Sequence, residues 1–364
     1  MKHGRWLAVA ATFGAISSGA ASACGDSSPE PDASTGDAAP DKKTTGIDAG
    51  DADAAVTLPS KLSETGLYSD FASRTLAAGV ITYEPRYPLW SDGLDKKRYL
   101  LLPPSTKIDT SAMDDWAFPI GTKVWKEFDL ADAGALETRL LWKIADAQWL
   151  EVAYAWASDG SDALADPDGG ANALGTFHDI PSQTDCNACH ANVRDVLIGV
   201  SAIQLGASDG DGTLAMLADA GLLTSAPSPA GYDVPGSGAT KDALGYLHGN
   251  CGHCHNSDYA DPKLQQQTPM RLRLLVANTT PESAAVYSTA PCLVMKHTLP
   301  PQNLAYALVP GQPDQSGIPN RMDRRDSYEM PPNCTELVDD AGVATVRAWI
   351  ASLDAATCGD ASSD

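Results

Sequence analysis

Two pentapeptides in this chain combine residue types and spacing suited to covalent chemistry: Cys186-Asn187-Ala188-Cys189-His190 and Cys251-Gly252-His253-Cys254-His255. In each, two thiols stand three positions apart and an imidazole follows the second thiol directly. That spacing lets both sulfurs reach the two vinyl groups of one tetrapyrrole and close thioether bonds, while the histidine lies under the iron. The motifs therefore predict two covalently bound haem c groups. Cys186, Cys189, Cys251 and Cys254 are the attachment sites, and His190 and His255 are the proximal iron ligands. A zinc site usually needs two further Cys or His at paired spacing, and no second Cys-x-x-Cys pairs with either motif in that way along the sequence. A redox dithiol does not need the trailing histidine.

Each iron has a second axial position. Met330 lies in Glu329-Met330-Pro331-Pro332, downstream of the second motif. Prolines after a methionine stiffen an extended loop and present the thioether at small entropic cost. Met330 is thus the candidate distal ligand of the second haem, with Met322 in reserve, and His/Met ligation raises the reduction potential relative to His/His. For the first haem, Met216, His178, His248, His297 and a five-coordinate iron all stay open. Of the 8 cysteines, Cys292, Cys334 and Cys358 remain once the haem cysteines and Cys24 are assigned. A Cys292–Cys334 bridge would tie the long loop after the second motif to the methionine segment. A Cys334–Cys358 bridge would have to reach round the last helix.

The elements that must position these residues fall into an α+β arrangement. Residues 57–177 read as a mainly antiparallel β-domain with a tryptophan core, in runs such as Thr122-Lys123-Val124-Trp125-Lys126-Glu127-Phe128 and Trp149-Leu150-Glu151-Val152-Ala153-Tyr154-Ala155-Trp156. This span contains no His and no Cys, so it offers no conventional haem ligand, and its task reads as structural or recognitional. Its charges at Asp92, Asp95, Lys96, Lys97 and Arg98 read as a solvated loop. After His178 the pattern turns helical. A first haem region covers 178–235, where Leu214, Leu217 and Leu222 mark a short helix ending near Gly221. A second covers 236–358. There Thr240 is the expected helix cap, and Leu244, Leu247 and Cys251 share a face. The last helix starts near Asp339 or Asp340, with Val343, Val346, Ile350 and Leu353 on one face. Gly245 and Tyr246 are expected to meet Trp349 where the two helices cross.

The N-terminus carries Lys2, His3 and Arg5, then an apolar run from Trp6 to Ile16 that is too short to span a bilayer comfortably. It reads as a signal peptide over residues 1–23, cleaved before Cys24, which follows Ala21-Ser22-Ala23 as the lipidated cysteine of a lipobox does. Residues 24–56 then form an acidic linker with too little apolar surface to fold. The net charge of −22, from 47 acidic and 25 basic residues, disfavours nucleic acid and anionic lipid as direct partners. A redox partner with a basic docking patch suits it better, and membrane contact is expected through the lipid anchor only.

On these residues the chain resembles a group of exported bacterial dihaem c-type cytochromes, from about Leu62 to Leu353. The likeness includes Leu62-Ser63-Glu64-Thr65-Gly66-Leu67-Tyr68, Pro88-Leu89-Trp90-Ser91-Asp92-Gly93, Phe118-Pro119-Ile120-Gly121-Thr122, and Ile180-Pro181-Ser182 ahead of the first motif. It continues through Tyr246-Leu247 and Asn250 before Cys251, then Val309-Pro310-Gly311-Gln312-Pro313, Arg321-Met322 and Met330-Pro331-Pro332. The part order of residues 236–358 resembles a class I cytochrome c domain. The resemblance implies haem binding and electron transfer in the cell envelope. The competing expectation is a haem-dependent oxidoreductase, such as a dihaem peroxidase or a small-molecule dehydrogenase, with one open iron.

Overall fold

The computed structural model describes residues 57–131, 134–206, 212–229, 231–256, 269–332 and 334–359. Cys24, the signal segment and the acidic linker lie outside them. The fold is mixed α+β with a β-rich N-terminal region, as the sequence pattern predicts.

The alternating aromatic and β-branched runs form one six-stranded antiparallel meander, β3-β4-β5-β6-β7-β8. Its strands are β3 (Ile81–Thr82), β4 (Asp95–Leu101), β5 (Lys123–Leu130), β6 (Gly134–Ala145), β7 (Gln148–Trp156) and β8 (Ala163–Asp166). A small hairpin of β1 (Tyr68–Asp70) and β2 (Thr75–Leu76) precedes it. Side chains alternate between the two faces of a strand, and here the two faces have different tasks. Tyr99, Trp125, Leu140, Val152, Tyr154 and Trp156 pack on one face with Leu62 and Leu67. On the other, Leu100 and Val124 join Leu197, Val200, Leu205, Leu214 and Leu217 from the segment after the first motif. That shared core continues across the 177/178 boundary expected from the sequence.

The helical elements are α1 (Gln183–His190), α2 (Ala202–Leu205), α3 (Thr213–Asp219), α4 (Gly238–Asn250), α5 (Val286–Thr289), α6 (Gly317–Met322) and α7 (Asp340–Ser352). A two-stranded ribbon of β9 (Val294–Leu299) and β10 (Leu304–Tyr306) lies between α5 and α6. Asp339 caps α7 by accepting from the Gly342 amide at 2.9 Å, and Val343, Val346 and Ile350 are buried. Helix α4 starts at Gly238 rather than at the expected cap Thr240, with Ser237 in the cap position.

Helices α4 and α7 cross with Tyr246 lying over Gly342, where a β-carbon would sit 2.3 Å from the ring. The small residue that permits close approach is therefore in the last helix. Gly245, expected at this crossing, is instead covered by Tyr87, whose ring would lie 2.1 Å from an added β-carbon. Trp349 is buried beside Tyr287, donating from its indole to that hydroxyl at 3.1 Å.

Tyr87 belongs to the connection between β3 and β4, which laces the sheet to the C-terminal helices. The Trp90 amide donates to Asn250 Oδ1 at 2.7 Å, and the Trp90 indole donates to the Leu337 carbonyl at 3.0 Å. Asp92, only 5% exposed, accepts from the Glu336 and Leu337 amides. This corrects the solvated-loop reading of the 92–98 charges: Asp92 and Arg98 are buried, and Lys96 donates to the Leu89 carbonyl. Among the described residues no helix is long and apolar enough to cross a membrane.

Candidate functional site

The first motif occupies α1, an eight-residue helix with a complete capping box. Ser182 accepts from the Asp185 amide, and Asp185 in turn accepts from Ser182. Cys186 and Cys189 thus lie on consecutive turns and His190 ends the helix. His190 Nδ1 lies 2.5 Å from the Val196 carbonyl oxygen. A carbonyl only accepts, so Nδ1 carries the proton and Nε2 keeps its lone pair for a metal. Burial lowers the imidazole pKa to about 4, which keeps it neutral, as a ligand must be.

The Val196 carbonyl is held by its neighbour. Asp195 accepts from Lys143 Nζ at 2.7 Å and 2.8 Å, from the Trp149 indole at 3.1 Å and from the Phe118 amide at 2.6 Å. Lys143 and Trp149 belong to the β-sheet. The sheet therefore fixes the turn that orients His190, although its own strands carry no His or Cys.

A cleft of about 140 Å³ opens beside Cys186, Cys189 and His190. Its other wall is the sheet face carrying Arg98, Lys126, Arg139 and Glu151, with His178 beside them. Glu137, fully buried, accepts from Arg139 Nη2 at 2.5 Å and from His178 Nε2 at 2.7 Å. Burial opposes ionisation of Glu137, but Arg139 and His178 outweigh it and hold its pKa at about 2. Glu151 has no such partner, and burial pushes it up to about 7.

The second motif follows α4 directly, with Cys251 at the helix end and packed against the main helical core. Gly252 allows close approach there, since a β-carbon would lie 2.7 Å from the His248 carbonyl and 3.0 Å from Arg273 Cα. His255 is buried deeply enough to lower its pKa. The motifs meet in space: Cys189 Sγ, Cys254 Sγ and a His253 ring nitrogen all lie within 4.8 Å of one another. Asn256 donates to the Asn192 carbonyl at 3.4 Å across the same junction. A second cleft, of about 60 Å³, borders His253 on residues that include His248, Gly252 and Arg273.

The residues expected to compete as distal ligand of a first haem differ in their surroundings. Met216 is 39% exposed on α3, and His297 is exposed on β9. His248 Nδ1 accepts from the Leu274 amide at 3.0 Å, so its remaining nitrogen carries the proton and has no lone pair to give. His178 is 3% exposed, lines the cleft, and has a buried Nδ1 without a partner. For the second haem, Met322 is buried among Leu244, Leu247 and Val343. Met330 is half-buried, and its amide donates to the Arg321 carbonyl at 3.0 Å. Its neighbour Pro331, with Cys334 and Thr335, lines the cleft of the first motif.

The disulfide joins Cys292 to Cys358, with Cα atoms 5.3 Å apart. This overturns the expected Cys292–Cys334 bridge. After α7 the chain turns back along Pro310 and Gly311, where the Ala356 amide donates to the Pro310 carbonyl. That return carries Cys358 to Cys292, while Cys334 faces the first cleft.

Arg98, Lys126, Glu137, Arg139 and Asp195 were not singled out from the sequence as site residues. The available signal was charge at alternate positions in strands that bury both faces, which register alone turns into a site. No protein-family model, curated protein or solved structure matches this chain.

Proposed function

We propose that this protein is an exported dihaem c-type cytochrome that passes single electrons between two covalently bound haems and a protein partner in the cell envelope. The observation that carries the reading is the pair of Cys-x-x-Cys-His motifs, whose second cysteines lie within 4.8 Å of each other, the first motif lining a cleft. Cys186, Cys189 and His190 would hold one haem, and Cys251, Cys254 and His255 the other. Bound there, each haem supplies a one-electron iron couple. Two attachment sulfurs this close favour exchange between the centres over two isolated sites.

The residues fit the group. His190 has its Nδ1 proton engaged and its Nε2 lone pair available, and the cleft has a cationic wall to suit a dianionic tetrapyrrole. The crossing of α4 and α7 through Tyr246 and Gly342 supports the likeness of the C-terminal part to a class I cytochrome c. Met330 remains the proposed sulfur ligand of the second haem. Cys24 is the proposed lipid anchor, and the acidic surface favours a redox partner with a basic patch. An oxidoreductase with one open iron is the variant reading, in which the Nδ1 of His178, without a partner among the described residues, would face a bound molecule rather than ligate the iron.

A second reading comes from the same junction. The two motifs pair in space as they do not along the sequence, so Cys189, His253 and Cys254 could hold a zinc-like ion. An ion does not need a histidine after each Cys-x-x-Cys, which weighs against it. A pyridine haemochrome assay with metal analysis separates the two. Two haems per chain, retained through acid–acetone extraction, are expected; one zinc per chain and no haem would establish the alternative.

A further inference from the structure

The wall of the first cleft carries more positive charge than it can neutralise. In the sheet register Arg98 lies directly opposite Lys126, and Lys126 directly opposite Arg139. Three cations thus stand side by side across three strands, on the face that lines the cleft with Cys186, Cys189 and His190. Like charges directly opposite each other destabilise a sheet, and an unpaired charge held away from water costs more still.

Arg139 is answered by Glu137. Arg98 is 7% exposed, and among the described residues its guanidinium hydrogen-bonds only the Lys96 carbonyl, at 3.5 Å. Lys126 has no ion pair or hydrogen bond among the described residues and rests 4.6 Å from the Phe128 ring centroid. Burial, together with Arg139, Lys96 and Arg98, pushes its pKa well below the usual lysine value. Lys96, on the same face, is satisfied by the Leu89 carbonyl. The row therefore has two cations in surplus.

We propose that Arg98 and Lys126 form an anion site that takes the two carboxylates of a tetrapyrrole attached at Cys186 and Cys189. Two propionates would meet Arg98 and Lys126, an anion beside Lys126 favouring its charged form while burial holds Glu151 towards its neutral form, and site and attachment cysteines share one cleft. The inference rests on the dihaem reading and gives the β-rich region a task. Having neither His nor Cys, it supplies counter-charge to the first haem rather than a ligand.

The test uses the full exported holoprotein as wild type, Lys126→Met, Lys126→Arg and Arg98→Gln. Haem stoichiometry and optically monitored redox titration are measured, with inorganic phosphate titrated into each. A nearby cation favours the ferrous state, so Lys126→Met and Arg98→Gln should keep two haems and lower the midpoint potential of one haem only. Lys126→Arg should restore it, and phosphate should have no saturable effect. Unchanged potentials in both charge-removing variants, with two haems bound, would overturn the proposal. So would a saturable phosphate response in wild type that disappears in Lys126→Met, because the row would then serve a soluble anion. Absence of haem from the wild type is a separate outcome, which removes the dihaem reading and this inference with it.

Discussion

Replacing Glu137 by Gln removes one charge from the first cleft while nearly preserving shape. Glu137 is fully buried and bonded to both Arg139 and His178. Its pKa is held at about 2 against an ordinary 4.5. At roughly 1.36 kcal/mol per unit, that difference corresponds to about 3 kcal/mol of stability. Breaking a buried ion pair typically costs about 3–5 kcal/mol, so the two routes agree in size. Because the folded pKa is depressed, the stabilisation is complete above pH 4.5 and disappears as pH falls towards 2. Urea denaturation of wild type and Glu137→Gln at several pH values between 7 and 2 reads this directly. The variant should be less stable by about 3 kcal/mol at pH 7, a drop in Tm of roughly 6–12 °C for a unit of this size. The gap should close between pH 4.5 and 2. A deficit under about 1 kcal/mol at pH 7, or one that persists undiminished at the acid end, would refute the reasoning.

Three further outcomes are expected. Met330→Ala should abolish the weak absorption near about 695 nm that marks sulfur-ligated ferric haem, while Met322→Ala keeps it. The band should survive in a Cys186→Ala, Cys189→Ala double variant, and its loss there would move Met330 to the first haem. Cys292→Ser opens a bridge spanning 66 residues, which loop-closure entropy values at about 4 kcal/mol. Peptide mapping without reductant should recover Cys292 joined to Cys358, and recovery of a Cys292–Cys334 peptide would contradict the structure. Cys24→Ser should move the protein from the detergent phase to the aqueous phase, and identical partitioning of variant and wild type would rule out the anchor.

What could be read along the chain was whatever depends on near neighbours. The two Cys-x-x-Cys-His motifs act over one helical turn, so their chemistry is written locally. The same is true of the strands around Trp125 and Trp156, of α7 with its Asp339 cap, and of the apolar stripe Val343, Val346 and Ile350, because periodicity and capping are short-range properties. Pairing across distance was not legible. Cys358 meets Cys292 only because the chain after α7 folds back along Pro310 and Gly311. Gly342, rather than Gly245, receives the partner helix because Tyr87 arrives from the sheet and covers Gly245. The cationic wall depends on antiparallel register, which sets Arg98, Lys126 and Arg139 side by side. A slip of one residue would turn each of them to the opposite face. Local sequence determined the two Cys-x-x-Cys-His motifs; the tertiary structure decided what surrounds them, because charge and packing act between residues that only folding brings together.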